Sequence, residues 1–249
     1  MKVTILGSGT GIPSASRGSP GLVVKAGRRI LLFDSGPGSL RRLVEAGLKP
    51  EEVDYVFYTH FHPDHIADLV PLLFALKNPS IHRTKVLRLA GPEGFLHLFG
   101  LLKNVYGQWM EPRGFELEID QLAVGRHSYP EFELVAEKVS HTESSLGYRV
   151  EAEGRAVAYS GDSDYCQALI DLGRGVDLLI LECSFPDSSP CPGHLTPTRA
   201  GEIAARAESK KLLLTHFYPA CEGEDLKAAC QKLYPGEVIL AHDLMTISL

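Results

Sequence analysis

With 249 residues, 44% of them apolar, the chain can bury a sizeable core, and its formal charge of −6 excludes a general electrostatic attraction to polyphosphate. The longest apolar-dominated stretch, Leu69 to Leu76, is about eight residues against the roughly 20 that span a bilayer, so no membrane helix is expected, and Met1–Leu6 reads as a first strand rather than a signal peptide. The five cysteines (Cys166, Cys183, Cys191, Cys221, Cys230) include no C-x-x-C pair, which suits neither a disulfide framework nor a cysteine-based zinc site and points to a reducing, cytoplasmic setting.

In chain order, short β-rich runs at Val3–Leu6, Leu22–Ala26 and Arg29–Phe33 are separated by glycine and proline, followed by a predicted helix over Ser39–Ala46 and a strand over Val53–Tyr58. A helix is predicted over Ile66–Leu76, then a strand near Lys85–Leu89, a helix opened by Pro92, and strands around Phe115–Ile119 and Phe132–Val139. The second half gives strands Leu146–Val150, Ala156–Ser160 and Asp177–Cys183, a helix from Pro197 to Ala207, a strand Lys211–Thr215, a helix near Glu224–Leu233 and closing strands Val238–Leu240 and Met245–Ser248. Antiparallel strands in the middle with helices flanking both halves imply an α+β chain of two packed sheets with helices outside, a four-layer αββα sandwich. No linker or repeat divides residues 1–249, so a single domain is expected. The glycine- and proline-rich pieces Gly7–Gly21 and Pro186–Pro197 read as active-site loops. Arg28-Arg29, Arg41-Arg42 and the Arg83/Lys85/Arg88 stretch are the candidates for a basic patch, and their scatter reads as solvated surface.

Gly7-Ser8-Gly9-Thr10-Gly11 after a strand, with Asp34 at the end of another, imitates a dinucleotide fingerprint. That fingerprint needs a helix opening at the glycines to meet the pyrophosphate, and Pro13, Gly18 and Pro20 break the following stretch. A turn is the better reading.

The informative run is Thr59-His60-Phe61-His62-Pro63-Asp64-His65, between an apolar strand and a helix. His60, His62, Asp64 and His65 lie within six residues, and clustering so many ionisable groups without a metal would be costly. Imidazole with carboxylate suits zinc, manganese or iron, and a loop this dense in ligands can serve two ions. His82, His97, His127 and His242 lack ligand spacing and read as surface or packing residues; Tyr106 and Trp109 fall in a segment expected to border the pocket, where they could stack on a base or an aromatic leaving group, with core packing the favoured reading.

These residues resemble the H-x-H-x-D-H motif of the metallo-β-lactamase superfamily, and the resemblance extends to His141, to Asp162 in Ser160-Gly161-Asp162-Ser163 and to His216 in Leu214-Thr215-His216-Phe217. It implies a metallo-β-lactamase-like fold with two divalent ions, zinc first with manganese or iron as alternatives. His60, His62 and His141 would hold one, Asp64, His65 and His216 the other, with Asp162 and a shared hydroxide between them. Leu6–Pro13 with Arg17, Asp177–Glu182 and Gly193-His194-Leu195-Thr196 look specifically like ribonuclease Z. By that resemblance His194 contacts the scissile phosphate and protonates the leaving oxygen, Asp64 assists as proton acceptor, and Glu182 either orients a nearby histidine or is structural. The tRNA-gripping arm of that family has no counterpart, because His141 and Asp162 are 21 positions apart. The expected activity is therefore a dinuclear phosphodiesterase acting on RNA or a small nucleotide, with a sulfate ester, lactone or thioester hydrolase as the alternative. The resemblance further suggests a homodimer.

Overall fold

The computed structural model describes residues 1–249. The first half comprises β1 (Lys2–Gly7), β2 (Gly21–Ala26), β3 (Arg29–Phe33), α1 (Ser39–Glu45), β4 (Tyr55–Phe57), α2 (Pro63–Ile66), α3 (Leu69–Leu76), β5 (Leu87–Gly91), α4 (Phe95–Tyr106) and β6 (Leu117–Gln121). The second comprises β7 (Gly125–Tyr129), β8 (Phe132–Lys138), β9 (Leu146–Ala152), β10 (Arg155–Tyr159), α5 (Gln167–Gly173), β11 (Leu178–Glu182), α6 (Pro197–Arg206), β12 (Lys211–Thr215), α7 (Leu226–Gln231), β13 (Glu237–Leu240) and β14 (Thr246–Ser248). They form two seven-stranded sheets, ordered β14-β1-β2-β3-β4-β5-β6 and β13-β12-β11-β10-β9-β8-β7. In each, one half is antiparallel and the other parallel, from β3 to β6 and from β10 to β13.

Strand periodicity assigns the layers. Val3, Ile5, Leu22, Val24, Leu31, Phe33, Tyr55 and Phe57 face the second sheet and join its residues Leu134, Tyr148, Val150 and Ile180 in the larger core, which also takes in Leu169, Ile203 and Leu226 from α5, α6 and α7. The alternate residues Leu6, Val23, Ile30, Leu32 and Val56 face the other way and pack on Leu43, Leu72, Phe95 and Phe99 of α1, α3 and α4. This is the expected αββα order. Phe33 stacks on Phe57 at 5.3 Å between the sheets, and burying each such ring contributes about 1.5–3 kcal/mol.

Three expectations need correction. The helix foreseen over Ile66–Leu76 is two pieces, because Asp68 is claimed by α1 and the turn before it: its carboxylate accepts from Leu40 N at 2.9 Å and its own N–H donates to Ser35 O at 2.9 Å. Pro92 does not open α4, which starts after Gly94, a residue at φ 92. Tyr106 and Trp109 are not in the core; they are 44% and 50% exposed on the wall of a groove. The strand β7 and helix α5 have no counterpart among the predicted elements.

Between His141 and Asp162 there is only the β9–β10 hairpin, closed through Glu153 (φ 53) and Gly154 (φ 69). The arginine runs are not a free basic surface either: Arg29 pairs with Asp54 and Glu131, Arg41 and Arg42 with Glu45, Lys85 with Asp54, Arg88 with Glu118, and Arg83 is buried on the carbonyls of Glu51, Val53 and Val86. No helix is long and apolar enough to cross a membrane, and all five cysteines are free thiols.

Candidate metal centre

The parallel strands deliver one cluster of side chains from their carboxyl ends, where open α/β sheets also bind ligands. Asp34 follows β3, the His60–His65 loop follows β4, Asp162 follows β10, Glu182 ends β11 and His216 follows β12. The antiparallel strand β8 adds His141 just beyond its end. Asp34 and His216 have positive φ, 55° and 60°, a conformation that costs a non-glycine residue about 1–2 kcal/mol and that the surrounding packing must maintain. Gly161 is needed beside Asp162 because a Cβ there would lie 2.7 Å from Thr59 Cβ.

All seven residues expected as ligands converge. His60, His62, His141 and Asp162 form one group, and Asp64, His65 and His216 another. His62 Nδ1 lies 3.1 Å from His60 Nε2 and 3.1 Å from His141 Nε2, while His65 Nε2 lies 3.3 Å from His216 Nε2. Asp162 spans both groups: Oδ1 is 3.2 Å from His65 Nε2 and 3.4 Å from His216 Nε2, and Oδ2 is 3.8 Å from both His60 Nε2 and His141 Nε2. Asp64 Oδ2 completes the second group at 3.6 Å from His216 Nε2 and 3.9 Å from His65 Nε2. Buried Asp162 Oδ1 has no hydrogen-bond donor in the chain. Donor atoms around a tetrahedral ion with bonds of 2.0–2.1 Å stand about 3.3 Å apart, so the spacing and the orphaned oxygen both fit two cations.

The far nitrogens of the imidazoles are tethered, which fixes the face each turns inward. His65 Nδ1 donates to Asp34 Oδ2 at 2.8 Å, and His60 Nδ1 meets Thr59 Oγ1 at 3.0 Å, whose hydroxyl donates to Asp34. In the second half His216 Nδ1 meets Ser184 Oγ at 2.9 Å, whose hydroxyl donates to Glu182 Oε2, and His141 Nδ1 donates to Gly193 O at 2.9 Å. Asp34 and Glu182 thus anchor two histidines each, since His194 Nδ1 donates to Glu182 Oε1 at 2.7 Å. His194 forms a third potential ligand group with Asp162 and His216, their donor atoms within 4.8 Å of one another, and its ring lies nearly parallel to that of His216 at 6.1 Å. Asp34, Thr59 and Ser184 were not among the expected site residues; Asp34 shares with Asp162 and His216 a place just after a parallel strand, a position that singles it out only once the strands are aligned.

Electrostatics sharpens these roles. Burial, with His65 adding repulsion, pushes His60 down to about 2, so it presents a neutral imidazole. Burial opposes charge on His65 as well, but the Asp162 and Asp34 carboxylates hold it well above its ordinary value. Asp64 is lowered to about 2, burial being outweighed by His216 and His65. For His194 burial is outweighed by the hydrogen bond and charge of Glu182, which raise it and favour a proton on the ring.

The dinucleotide reading fails structurally too: no helix follows Gly7–Gly11, and Ser8 donates its N–H and hydroxyl to Asp243 Oδ1 at 2.9 and 2.8 Å. His82, His97 and His242 are exposed and His127 is half-buried on β7, all outside the centre.

Comparison with known proteins places these features in context. Residues 28–217 match the family model described as Beta-lactamase superfamily domain. The chain is 31% identical over 247 residues to the probable metallo-hydrolase YhfI of Bacillus subtilis, covering 97% of each protein. It is 29% identical to ribonuclease Z of Brevibacillus brevis, covering 100% of this chain and 96% of the relative. That alignment runs over 313 positions against 249 residues here, so the relative has segments that this chain lacks. Among solved structures, Bacillus subtilis YhfI superposes with a TM-score of 0.86 at 28% identity, covering 99% of this chain and 98% of that one. Human tRNase Z, short form, superposes at 0.80 and 25% identity, covering 100% and 99%.

Proposed function

The chain belongs to the β-lactamase superfamily, as a metal-dependent hydrolase similar to ribonuclease Z, and from that premise we propose that it is a phosphodiesterase with two divalent ions, zinc foremost. His60, His62 and His141 would hold one ion and Asp64, His65 and His216 the other, with Asp162 available to both groups. When bound, such a pair supplies Lewis acidity for a polarised ester oxygen and lowers the pKa of water towards neutrality.

The observation behind the phosphodiester assignment is His194, tethered through Nδ1 to Glu182 and grouped within 4.8 Å with Asp162 and His216. An alkoxide leaves poorly unless protonated, and His194 Nε2–H gives that proton while Glu182 stabilises the charged ring beforehand. Asp64, beside the second group of donors, would assist as proton acceptor for the attacking water. A thiolate leaves without such help, because a thiol ionises near pH 8.5. RNA and small nucleotides both offer this chemistry, and the paired arginines together with the absent arm favour the smaller substrate.

A second reading draws on the groove lined by Phe61, Pro63, Val70, Phe74, Leu102 and Trp109, a cavity of about 830 Å³. Phe61 and Pro63 alternate with the ligands of the metal loop, so this apolar wall would suit a lactone, thioester or sulfate ester with a hydrophobic body. In the first reading the same groove is covered by a second copy of the chain, and the free thiols suit the reducing cytoplasm.

The test is metal content together with hydrolysis of bis(p-nitrophenyl) phosphate, a sulfate ester, a lactone and a thioester by wild type, Asp162→Ala and His194→Ala. Expected are two ions per chain, phosphodiester turnover lost in both variants, and metal lost from Asp162→Ala alone. Preference for another ester selects the second reading, and fewer than two ions with no turnover rejects both.

A further inference from the structure

Beside the metal centre lies a separate cavity of about 230 Å³, between the loop after β1 and the segment after β12, lined among others by Thr10, Ile12, Arg17, Tyr218, Glu222 and Glu224. It adjoins the centre through Tyr218, whose ring lies 5.8 Å from His216 and 6.0 Å from His194, and Gly11, between the lining residues Thr10 and Ile12, packs close to Asp64. Tyr218 is held in place: its ring stacks on Phe185 at 4.8 Å and 18°, and its N–H donates to Ser184 O at 3.3 Å. The ring is only half-buried.

The charge in this cavity argues against a phosphate. Arg17 is committed, its Nη1 donating to Ser8 Oγ at 2.7 Å and Ala241 O at 2.9 Å and its guanidinium lying 4.6 Å from the centre of the Phe217 ring. Glu222 and Glu224 are exposed on the rim. An aromatic wall with carboxylate acceptors at its mouth suits a flat, neutral group that carries N–H donors on its edge. On the phosphodiesterase reading, with the phosphate at the metal centre, we propose that this cavity is a nucleobase subsite. Tyr218 is its stacking wall, Phe185 the ring that buttresses it, and Glu222 and Glu224 accept from the amino edge of the base.

The experiment compares AMP with ribose 5-phosphate by calorimetric titration of the metal-loaded enzyme, in wild type, Tyr218→Phe and Tyr218→Leu. Stacking on one base is worth a factor of roughly five to 150, so wild type and Tyr218→Phe should bind AMP tighter than the sugar phosphate by that ratio. Tyr218→Leu keeps bulk but no π-face, and its ratio should fall towards one. Equal binding of the two ligands by wild type, or a ratio unchanged in Tyr218→Leu, overturns the subsite. Turnover then separates the sources of the base: cyclic AMP hydrolysed with a KM raised in Tyr218→Leu supports a mononucleotide, and the dinucleotide ApA behaving so supports an RNA end. A wild type that discriminates AMP from ribose 5-phosphate but hydrolyses no phosphodiester would retain the subsite and reject the phosphodiesterase reading.

Discussion

Asp34 illustrates how a single residue governs the centre without touching a cation. It is fully buried and accepts from Thr59 N–H, Thr59 Oγ, His65 Nδ1 and Tyr159 OH. Asn tolerates positive φ, so Asp34→Asn removes the charge and one acceptor while sparing the backbone. Loss of such a partner typically weakens metal binding about 10- to 100-fold, which chelator competition would measure; unchanged affinity would show that Asp34 serves only the fold. The ligands themselves were legible because four of them crowd one loop, whereas a lone aspartate at a strand end carries no such signature and gains meaning only when β3 and β4 align. Away from the centre, Asp177 is partly desolvated, but hydrogen bonds from Lys210, Ala156 N and Arg155 hold it at about 2. A carboxyl depressed in the folded state stabilises above its unfolded pKa and loses that contribution as pH falls through the folded one. The melting-temperature difference between wild type and Asp177→Asn should therefore be full above about pH 4 and shrink between about 4 and 2; a gap independent of pH would sink this assignment.

At the scale of elements, the metal loop is located by close backbone approach as much as by its own sequence. A Cβ on Gly36 would lie 1.8 Å from Asp64 O and 2.7 Å from Ser19 Cβ, so the turn after β3 and the start of α2 fit only with glycine. Overpacking of this kind costs about 1–3 kcal/mol, so Gly36→Ala should lower the melting temperature by roughly 2–12 °C. Because the displaced carbonyl belongs to a candidate ligand, metal content should fall as well; loaded and chelated protein melting as wild type would refute the contact. Most strands were readable because both of their faces are buried, those of the first sheet alternating between two cores, so even a run as short as Ile30–Phe33 is apolar throughout. Strand β7 was not, since its residues Gly-Arg-His-Ser-Tyr lie at the sheet edge and bury no apolar alternation. Helix α5 has only seven residues, too few to establish a helical period. The break between α2 and α3 was invisible because contacts from α1 and the β3 turn impose it on a sequence that is helical by pattern.

For the whole molecule, the layered αββα order follows from the sequence pattern, but the association state depends on a surface that no pattern describes. Phe74, Tyr106 and Trp109 are 55%, 44% and 50% exposed and border one apolar groove between α3 and α4, and Val105 beside it is 76% exposed. Solvated apolar surface on this scale is uncommon on a monomer and favours a covering partner. If a second copy covers it, sedimentation at micromolar concentration should give a dimer, and Phe74→Glu with Trp109→Glu should give a monomer that still binds metal, because neither residue is among the candidate ligands. The burial of two carboxylates without partners is what would drive dissociation. A wild type that remains monomeric across the same range would reject self-association and leave the groove open beside Phe61 and Pro63. Hydrophobic esters should then be bound more tightly by wild type than by Trp109→Glu, and that difference in KM would move the balance towards the second reading of the site.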